Sequence, residues 1–452
     1  MAGCSVVHLF LYPGESIRTP LVSLMYWKGD DRLDGQNRFR RFILAHHTHK
    51  INGKNIVPPM CGGFEWGDPA PCNEYTCLTE EMAVAMVKRH KQFGLVPEVF
   101  WLDAGWYEGA GGPNFEGRNW YNTVGSWRVD RERFPNGLKP ISEAAHGMGA
   151  KLMVWFEPER VYKGSYFYNN YPQWLIKSES SNNAIFDLGN KEACDFLCKY
   201  IGDFIEENGI DYYRQDFNCP IDGFWALKDK ADGRKGMSEI RHIEGLYRFW
   251  DYLLARFPNM LIDNCASGGR RNDIETMRRS VTLHYTDVGY GNHPIKCKQH
   301  RQMFEWIPYF RAHNMNWDNA ETGAYENGGR PTDVFAFHCA LAPALTSMFT
   351  YNDTEENFEI GRRMDDIWRE AAEIELAGDY YPMTECRLDP RDFYAMQFDD
   401  PIAHRGFIQV IRNTQVEGDT YMVKAPCVHE NALYTLIDRE TGKSLTLTSN
   451  EL

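Results

Sequence analysis

The sequence predicts an α/β protein whose central part is a (β/α)8 barrel, the fold known as a TIM barrel. From about residue 56, short apolar runs alternate with segments of helical periodicity, which is the pattern of repeated strand–helix units. The runs end in carboxylates, as expected where functional side chains gather at the carboxyl ends of barrel strands: Asp103, Glu157, Asp216, Asp263 and Asp287. A doubly wound sheet is the alternative, but the first run contains Cys61-Gly62-Gly63 and shows no glycine-rich phosphate turn.

The predicted strands are short and mostly apolar. They cover residues 57–64, 96–103, 151–157, 210–216, 259–263 and 280–285, and a further strand–helix pair is predicted near 335–351. Two intervening helices have clear boundaries. Thr79 caps a helix that runs to Gly94, and Asn190 begins a helix that Gly209 ends.

Three regions follow from the pattern. Residues 1–55 are predicted to be extended structure with turns, which is too little chain for a sizeable core of its own. Residues 56–375 form the predicted barrel. After Tyr380 the helical periodicity ends and strands alternate, so residues 376–452 are assigned to a small antiparallel β domain.

Composition excludes some classes of function. A formal net charge of −14 argues against nucleic acid binding, which needs clustered lysine and arginine. We find no signal peptide and no transmembrane run, so a cytoplasmic location with no membrane partner is expected. The 12 cysteines lack zinc-ribbon spacing, and reduced thiols are expected. The histidine cluster 46–49 is interpreted as a solvated loop, so no metal or other cofactor is predicted. Aromatic residues make up 14% of the chain, which fits a large core or faces that bind sugar rings.

The segment 211–218 is the most informative part of the chain. Residues two apart share one face of a strand, so Arg214 and Asp216 are expected to point the same way, into the barrel. A cation beside Asp216 lowers the pKa of its carboxyl group and keeps it ionised. A fixed, ionised carboxylate is suited to act as a nucleophile on a glycosidic carbon.

Seven motifs in this order carry a resemblance to a known family. They lie at residues 101–107, 134–139, 155–159, 186–190, 211–218, 263–273 and 285–287. Together they resemble glycoside hydrolase family 36, which contains α-galactosidases and α-N-acetylgalactosaminidases. The resemblance is close from about residue 57 to 350. It implies that residues 1–55 match only the end of the family's N-terminal β-sandwich.

The resemblance implies two catalytic carboxylates. Asp216, after the fourth strand, matches the nucleophile of this retaining family, and Asp287, after the sixth, matches the general acid/base. Retention requires the two groups about 5–5.5 Å apart, which opposite strand ends of one barrel can provide. The pKa of Asp287 is expected to exceed that of Asp216, since the acid must begin protonated. Asp187 and Asp211, like Asp263, are interpreted as caps or hydrogen-bonding groups.

The resemblance also implies sugar-binding residues. Asp103 matches a carboxylate that binds the O4 and O6 hydroxyls, and Trp155 matches a wall of the sugar pocket, although it could equally be core. Trp66 is a candidate for a second wall. Cys265 and Gly268 match the loop that lies against the 2-position of the sugar, where small residues let the backbone approach the ligand.

Three departures from the family pattern affect positions that the resemblance links to substrate specificity. Ala104 replaces the second aspartate of the usual pair, so one contact to O4 or O6 is lost. Arg214 stands where the family usually has lysine, and a planar guanidinium presents different hydrogen-bond geometry. The loop at 265–271 also differs from the family's glycine-rich form, which alters the wall beside the 2-position. Arg271 is expected to anchor this loop.

The leading hypothesis is a retaining exo-glycosidase that hydrolyses terminal α-galactosides of small molecules or oligosaccharides. One alternative is the cleavage of α-linked N-acetylgalactosamine or galactosamine, and a transglycosylase is another. A non-hydrolytic galactoside-binding protein is the alternative from a different class. Homo-oligomers occur in the family, and the sequence leaves the assembly open.

Overall fold

The computed structural model describes residues 7–64, 77–111, 119–281, 283–287, 293–314, 333–385, 389–413 and 415–452. Within these ranges the dominant feature is a closed barrel of eight parallel strands. The strands are β1 (Cys61–Gly63), β2 (Val99–Leu102), β3 (Lys151–Phe156), β4 (Tyr212–Gln215), β5 (Ile262–Asn264), β6 (Leu283–His284), β7 (Phe310–Asn314) and β8 (Ala344–Ser347). Each strand pairs with the next, and β8 closes the barrel against β1. The predicted (β/α)8 barrel is confirmed.

Helices surround the barrel and connect its strands. The helices of the described residues are α1 (Arg32–His46), α2 (Glu80–Phe93), α3 (Lys139–His146), α4 (Tyr166–Asn170), α5 (Lys191–Asn208), α6 (Asp222–Lys228), α7 (Met237–Arg256), α8 (Ile274–Met277), α9 (His293–Met303), α10 (Val334–Cys339) and α11 (Glu355–Ala377). A short 3-10 turn, Pro172–Trp174, follows α4.

Both predicted helix boundaries are confirmed by their caps. The Thr79 side chain accepts from the Met82 amide at the start of α2, and Asn190 does the same for the first turn of α5. Gly94 and Gly209 end these helices with φ of 68° and 64°. This left-handed conformation favours glycine, which explains why the helices stop there.

The observed strands are shorter than the predicted runs, and β7 was not predicted. Its sequence, Phe-Arg-Ala-His-Asn, lacks an apolar alternation, yet all five residues are buried. Arg311 is fully buried because it pairs with Asp263 of β5 across the barrel interior. A charge satisfied by a distant strand cannot be recognised from local hydrophobicity.

The prediction of extended structure throughout residues 1–55 is wrong, since α1 occupies part of this segment. Asp31 caps α1 by accepting from the Leu33 amide. Its buried face includes Asn37 and Arg40, which bind backbone groups near Tyr380 and Gly378. Because polar residues form much of the buried face, α1 lacks the apolar stripe that would have revealed it.

The C-terminal region contains the predicted antiparallel strands. Asp379–Pro382, Phe393–Asp400 and Arg405–Arg412 form a three-stranded sheet, and Leu433–Ile437 pairs with Ser444–Thr448 in a hairpin. Smaller pairings join His8–Leu9 to Arg234–Lys235 and Lys50–Ile51 to Lys54–Asn55. A further sheet contains Arg160–Tyr162, Leu175–Lys177 and Asn183–Phe186. The exact domain boundaries stay a prediction.

Two further observations concern cysteine and membranes. Cys77 is disulfide-bonded, so the expectation of reduced thiols is wrong at this position. The sequence spacing alone did not reveal which thiols approach each other. Cys194 and Cys198 are free and lie buried in the core against α7, as their helical spacing predicts. In the part of the chain that the structure describes, no helix is long and apolar enough to cross a membrane.

Candidate active site

The candidate site lies at the carboxyl ends of the barrel strands. Asp103 follows β2, Asp216 follows β4 and Asp287 follows the short strand β6. Parallel strands present these ends at one mouth of a barrel. The structure therefore places all three sequence-predicted carboxylates on the same face of the fold.

Asp216 is buried, and four donors hold its carboxylate. The Trp155 indole Nε1 and the Asn218 amide Nδ2 donate to Oδ2 at 3.1 and 2.7 Å. The Phe217 and Ser267 backbone amides donate to Oδ1 at 2.7 and 3.1 Å. Each oxygen thus receives two hydrogen bonds, and the side chain has one defined orientation.

The environment keeps Asp216 ionised. Burial alone would raise the pKa of this carboxyl group, but the charge of Arg214 and the hydrogen bonds from Asn218, Trp155 and Ser267 outweigh it, so the pKa lies below its usual value. This is the protonation state that a nucleophilic carboxylate requires.

Arg214 belongs to a charged group inside the barrel. It forms an ion pair with Asp263, which also binds Arg311. The Trp101 ring lies against both guanidinium groups, with Cζ atoms 4.3 and 4.5 Å from its centroid. Burial would raise the pKa of Asp263, but the two arginines lower it. Asp263 therefore fixes Arg214, and Arg214 provides the positive charge beside Asp216.

Asp103 also lies beside the positive charge of Arg214, but its contact is longer than that of Asp263. Its Oδ2 lies 3.9 Å from Arg214 Nε, and its Oδ1 accepts from the Ala104 amide at 2.6 Å. Burial raises the pKa of Asp103 to about 6, against the lowering effects of Arg214 and the Ala104 amide. Asp103 consequently changes charge near neutral pH.

Asp103→Asn is expected to separate binding from stability as a function of pH. In the wild type, KM for a galactoside should rise as the pH falls through about 6, since a protonated carboxyl group is a weaker acceptor than a carboxylate. The variant should lack this dependence and show KM raised about 10-fold, because it loses a charged hydrogen bond.

The stability should change in the opposite direction. Because burial raises the pKa of Asp103 in the folded state, the wild type loses stability as the pH rises through about 6, and the variant should then be the more stable protein. Initial rates and thermal unfolding between about pH 4.5 and 8 measure both effects. A KM profile that is identical in the two proteins would contradict the assignment.

Asp287 is half exposed, in contrast to Asp216. Its side chain is 52% exposed, and its Oδ1 lies 2.8 Å from Nε2 of the buried His284. The pKa of His284 is lowered by burial, although its hydrogen bond to Asp287 works in the opposite direction. A carboxyl group that reaches solvent and has a neutral imidazole beside it is placed to exchange protons with substrate and water.

One loop contacts both catalytic candidates. The Ser267 amide donates to Asp216, and a Cβ atom on Gly268 would lie 2.9 Å from the Asp287 amide nitrogen. Gly268 has φ of +77°, and Gly269 packs against the Tyr285 carbonyl. Glycine at these positions allows the loop to pass directly over the residues that precede Asp287. The loop thereby connects the ends of β4 and β6.

A buried ion pair between Arg271 and Glu159 anchors the same loop. Arg271 donates to both oxygens of Glu159 at 2.7 Å, and His242 Nε2 lies 2.8 Å from Glu159 Oε2. Burial would raise the pKa of Glu159, but these partners lower it to about 2. Arg271 is therefore seen in the contact expected of a loop anchor.

Sequence reasoning assigned no role to three polar residues that support the site. Glu157 forms a fully buried pair with Arg160 and accepts from the Asn218 amide at 2.5 Å, so it positions the residue that holds Asp216. Glu159 and His284 have the supporting roles described above. The two glutamates in Trp-Phe-Glu-Pro-Glu were available as a signal, because charged residues directly after a buried strand need partners.

Of the remaining candidate residues, Trp155 and Cys265 are buried near Asp216. Trp155 is 1% exposed and donates to Asp216, so most of its ring packs in the core, and its role as a pocket wall stays a prediction. Cys265 is buried beside Asp216 and Asp287. Trp66 lies outside the described residues.

The rival carboxylates have other partners. Asp211 precedes β4, at the opposite end of the strand from Asp216, and contacts His146 and the Leu152 amide. Asp187 pairs with Lys228 and lines a cleft of about 710 Å³ that includes Trp174 but neither Asp216 nor Asp287. These contacts agree with structural roles.

A (β/α)8 barrel with a held, ionised carboxylate and a second, exposed one at its strand ends is an arrangement that glycoside hydrolases use. The family model described as Melibiase matches residues 73–289, which include Asp103, Asp216 and Asp287. α-Galactosidase Mel36A of Lactobacillus acidophilus is 27% identical over 271 residues, which are 58% of this chain and 34% of the relative. α-Galactosidase AgaA of Geobacillus stearothermophilus is 28% identical over 275 residues, with the same coverage. Residues 73–289 are thus similar to the Melibiase family, and the curated relatives that match the chain are named α-galactosidases.

Solved structures of α-galactosidases have the same fold. AgaA bound to 1-deoxygalactonojirimycin superposes with a TM-score of 0.76 at 17% identity, covering 94% of this chain and 56% of that one. The galactosidase domain of the α-galactosidase–sucrose kinase AgaSK gives a TM-score of 0.72 at 19% identity, covering 91% and 54%. The chain thus spans about a third of the curated relatives and about half of the structural ones.

Proposed function

We propose that this chain is a retaining exo-α-galactosidase. The observation that carries the proposal is the paired environment of Asp216 and Asp287. The first is buried, ionised and held by four donors, whereas the second is half exposed, and one loop contacts both. Similarity to α-galactosidases supports the substrate class.

The reaction follows from this division of roles. Asp216 attacks the anomeric carbon while the carboxyl group of Asp287 donates its proton to the departing glycosidic oxygen. The product is a β-galactosyl ester on Asp216. Asp287, now a carboxylate, removes a proton from water, which displaces Asp216 and releases galactose with the original α configuration. Two inversions at one carbon give retention, and the balance requires no metal or other cofactor.

Asp103 and Arg214 are proposed to bind the sugar hydroxyl groups. Both lie beside Asp216, and Asp103 offers an acceptor where the family has two aspartates. With Ala104 in the second position, Asp103 carries more of the recognition of O4 and O6. Solved relatives are named as complexes with stachyose and raffinose, so oligosaccharides ending in α-galactose are the proposed natural substrates.

The loop at 265–271 raises a second candidate substrate. Ala266 and Ser267 stand within the loop that the family places beside the sugar 2-position, where a hydroxyl group and an N-acetyl group differ in size. A pocket that accepts the larger group would make this chain an α-N-acetylgalactosaminidase. The galactosidase proposal is favoured because all the named relatives that match the chain here are α-galactosidases.

Parallel assays of p-nitrophenyl α-galactoside and the corresponding N-acetylgalactosaminide test the proposal. We expect kcat/KM to favour the galactoside by at least about 100-fold, because a fitted pocket discriminates strongly against added bulk. NMR of the first turnovers should show α-galactose before mutarotation. A preference for the N-acetyl substrate would select the second candidate, β-galactose as first product would exclude retention, and binding without turnover of either would indicate a sugar-binding protein.

A further inference from the structure

A second cluster of metal-binding side chains lies in the C-terminal β region, apart from the residues of the barrel mouth. It consists of Asp399, Cys427 and His429, whose candidate ligand atoms all lie within 4.8 Å of one another. His429 Nε2 is 3.6 Å from Asp399 Oδ2. The proposed hydrolysis uses none of these three residues.

We propose that Asp399, Cys427 and His429 form a binding site for a divalent transition-metal cation, with Zn²⁺ as the best fit. Thiolate, imidazole and carboxylate groups are the protein ligands that zinc takes, and three of them leave a fourth position for water. Zinc–ligand bonds of about 2.0–2.3 Å place tetrahedral ligand atoms about 3.3–3.8 Å apart. The spacing of His429 and Asp399 falls in this range, and calcium or magnesium would not favour the thiolate.

Backbone hydrogen bonds hold the cysteine in front of the aspartate. Gln397 Nε2 donates to the Cys427 carbonyl at 2.8 Å, and the Cys427 amide donates to Gln397 Oε1 at 2.9 Å. Gln397 and Asp399 are two residues apart in the strand Phe393–Asp400, so they share one face. The contact that fixes Cys427 therefore also places it against Asp399, and little reorganisation is needed when a cation binds.

The histidine is fixed by a different element. The His429 amide donates to the Tyr434 hydroxyl at 2.8 Å, and the Ser449 hydroxyl donates to the His429 carbonyl at 2.8 Å. Tyr434 belongs to the hairpin formed by Leu433–Ile437 and Ser444–Thr448, and Ser449 directly follows it. A cation bound by all three side chains would consequently link this hairpin to the three-stranded sheet and stabilise the C-terminal region.

The charge around the cluster favours a cation. The carboxylates of Asp379 and Asp399 both act electrostatically on Cys427. A bound cation must displace the thiol proton, so the affinity should increase with pH. Arg41 offsets only part of the negative charge, through its ion pair with Asp379.

The active site contains a similar set of ligand atoms, which the experiment must separate. Cys265, His284 and Asp287 also lie within 4.8 Å of one another. We therefore use a Cys265→Ala background, so that any thiolate-bound metal must be located elsewhere. Glu430→Ala is the matched control for His429→Ala, because Glu430 is the adjacent exposed residue and belongs to neither cluster.

Metal binding is measured on the chelator-treated 452-residue chain. Co²⁺ titrated into the background protein should produce a thiolate-to-cobalt charge-transfer band with one equivalent bound, and Zn²⁺ should abolish the band by competition. Cys427→Ser should lose the band, and His429→Ala should weaken Zn²⁺ binding at least about 10-fold. At one Zn²⁺ concentration, the Tm of the background and Glu430→Ala proteins should rise more than that of the His429→Ala protein.

The proposal is overturned if the Co²⁺ band persists in Cys427→Ser, or if His429→Ala binds Zn²⁺ as tightly as Glu430→Ala. A Tm increase that is equal in all variants would likewise assign the metal to another place. Circular dichroism of each variant establishes folding before titration, so a loss of binding cannot be confused with a loss of structure. Galactoside hydrolysis is independent of this result, because no residue of the cluster belongs to the proposed mechanism.

Discussion

Asp216→Gly is expected to lower kcat on an aryl α-galactoside by at least about 10³-fold, since it removes the atom that forms the bond to the anomeric carbon. The fold should persist. Trp155, Asn218 and the Phe217 and Ser267 amides lose their acceptor, but water can replace the carboxylate at the barrel mouth. Because glycine has no side chain, the Asp216→Gly substitution leaves a space at the position of the lost carboxylate that a small anion can occupy.

Azide in that space should restore part of the activity and reveal the role of the residue. It would attack the intact α-galactoside from the side that Asp216 occupied and give β-galactosyl azide, which NMR identifies. Asp211→Asn is the matched control, because Asp211 lies at the other end of β4 and should leave kcat almost unchanged. An Asp216→Gly protein that keeps wild-type activity, or that forms only the α azide, would show that another group is the nucleophile.

The fold could be predicted because its information is local. Apolar runs, caps and stop signals recur along the chain, and Asn190 and Gly209 bound α5 as their chemistry requires. The same reasoning failed for β7 and α1, where Arg311 and Arg40 are buried among distant partners. Hydrophobic patterning identifies a buried face only when the face is apolar, and the distant acceptors are not encoded near the arginines.

The candidate site, too, could be predicted where its information is local and could not where it depends on distant residues. Asp216 and Arg214 share a face, which strand geometry predicts from their spacing, and the structure places their charges together. The contacts that orient Asp216 come from Trp155 on β3 and Ser267 after β5. The pairing of β4 with both β3 and β5 brings these residues together. The support from Glu157 through Asn218 could not be assigned before the ends of β3 and β4 were known to be adjacent.

The role of Gly268 illustrates what a motif conveys without a structure. The resemblance placed this glycine beside the sugar, where a small residue allows a ligand to approach. The structure adds a second reason, because its positive φ and its approach to the Asp287 amide also require glycine. Gly268 thus adopts a backbone conformation that favours glycine, and it also lets the loop pass close to both carboxylates.

Asp287→Ala is expected to affect substrates according to how much help their leaving group needs. The variant lacks the acid that protonates the glycosidic oxygen, so kcat/KM for raffinose should fall about 10²- to 10⁴-fold. For a 2,4-dinitrophenyl α-galactoside, which departs as a stable phenolate, kcat/KM should change less than about 10-fold. The galactosyl ester on Asp216 should then accumulate, because water lacks its general base.

Azide distinguishes this variant from Asp216→Gly by stereochemistry. In Asp287→Ala it attacks the ester on Asp216 from the opposite side, so the product should be α-galactosyl azide rather than the β anomer. The basic limb of the pH–rate profile, which the general acid controls, should also change, whereas a purely structural defect would lower all rates alike. An equal loss on raffinose and the dinitrophenyl substrate would contradict the acid/base assignment. Opposite anomers from the two variants would instead assign each carboxylate its own step, which equal activity losses alone cannot do.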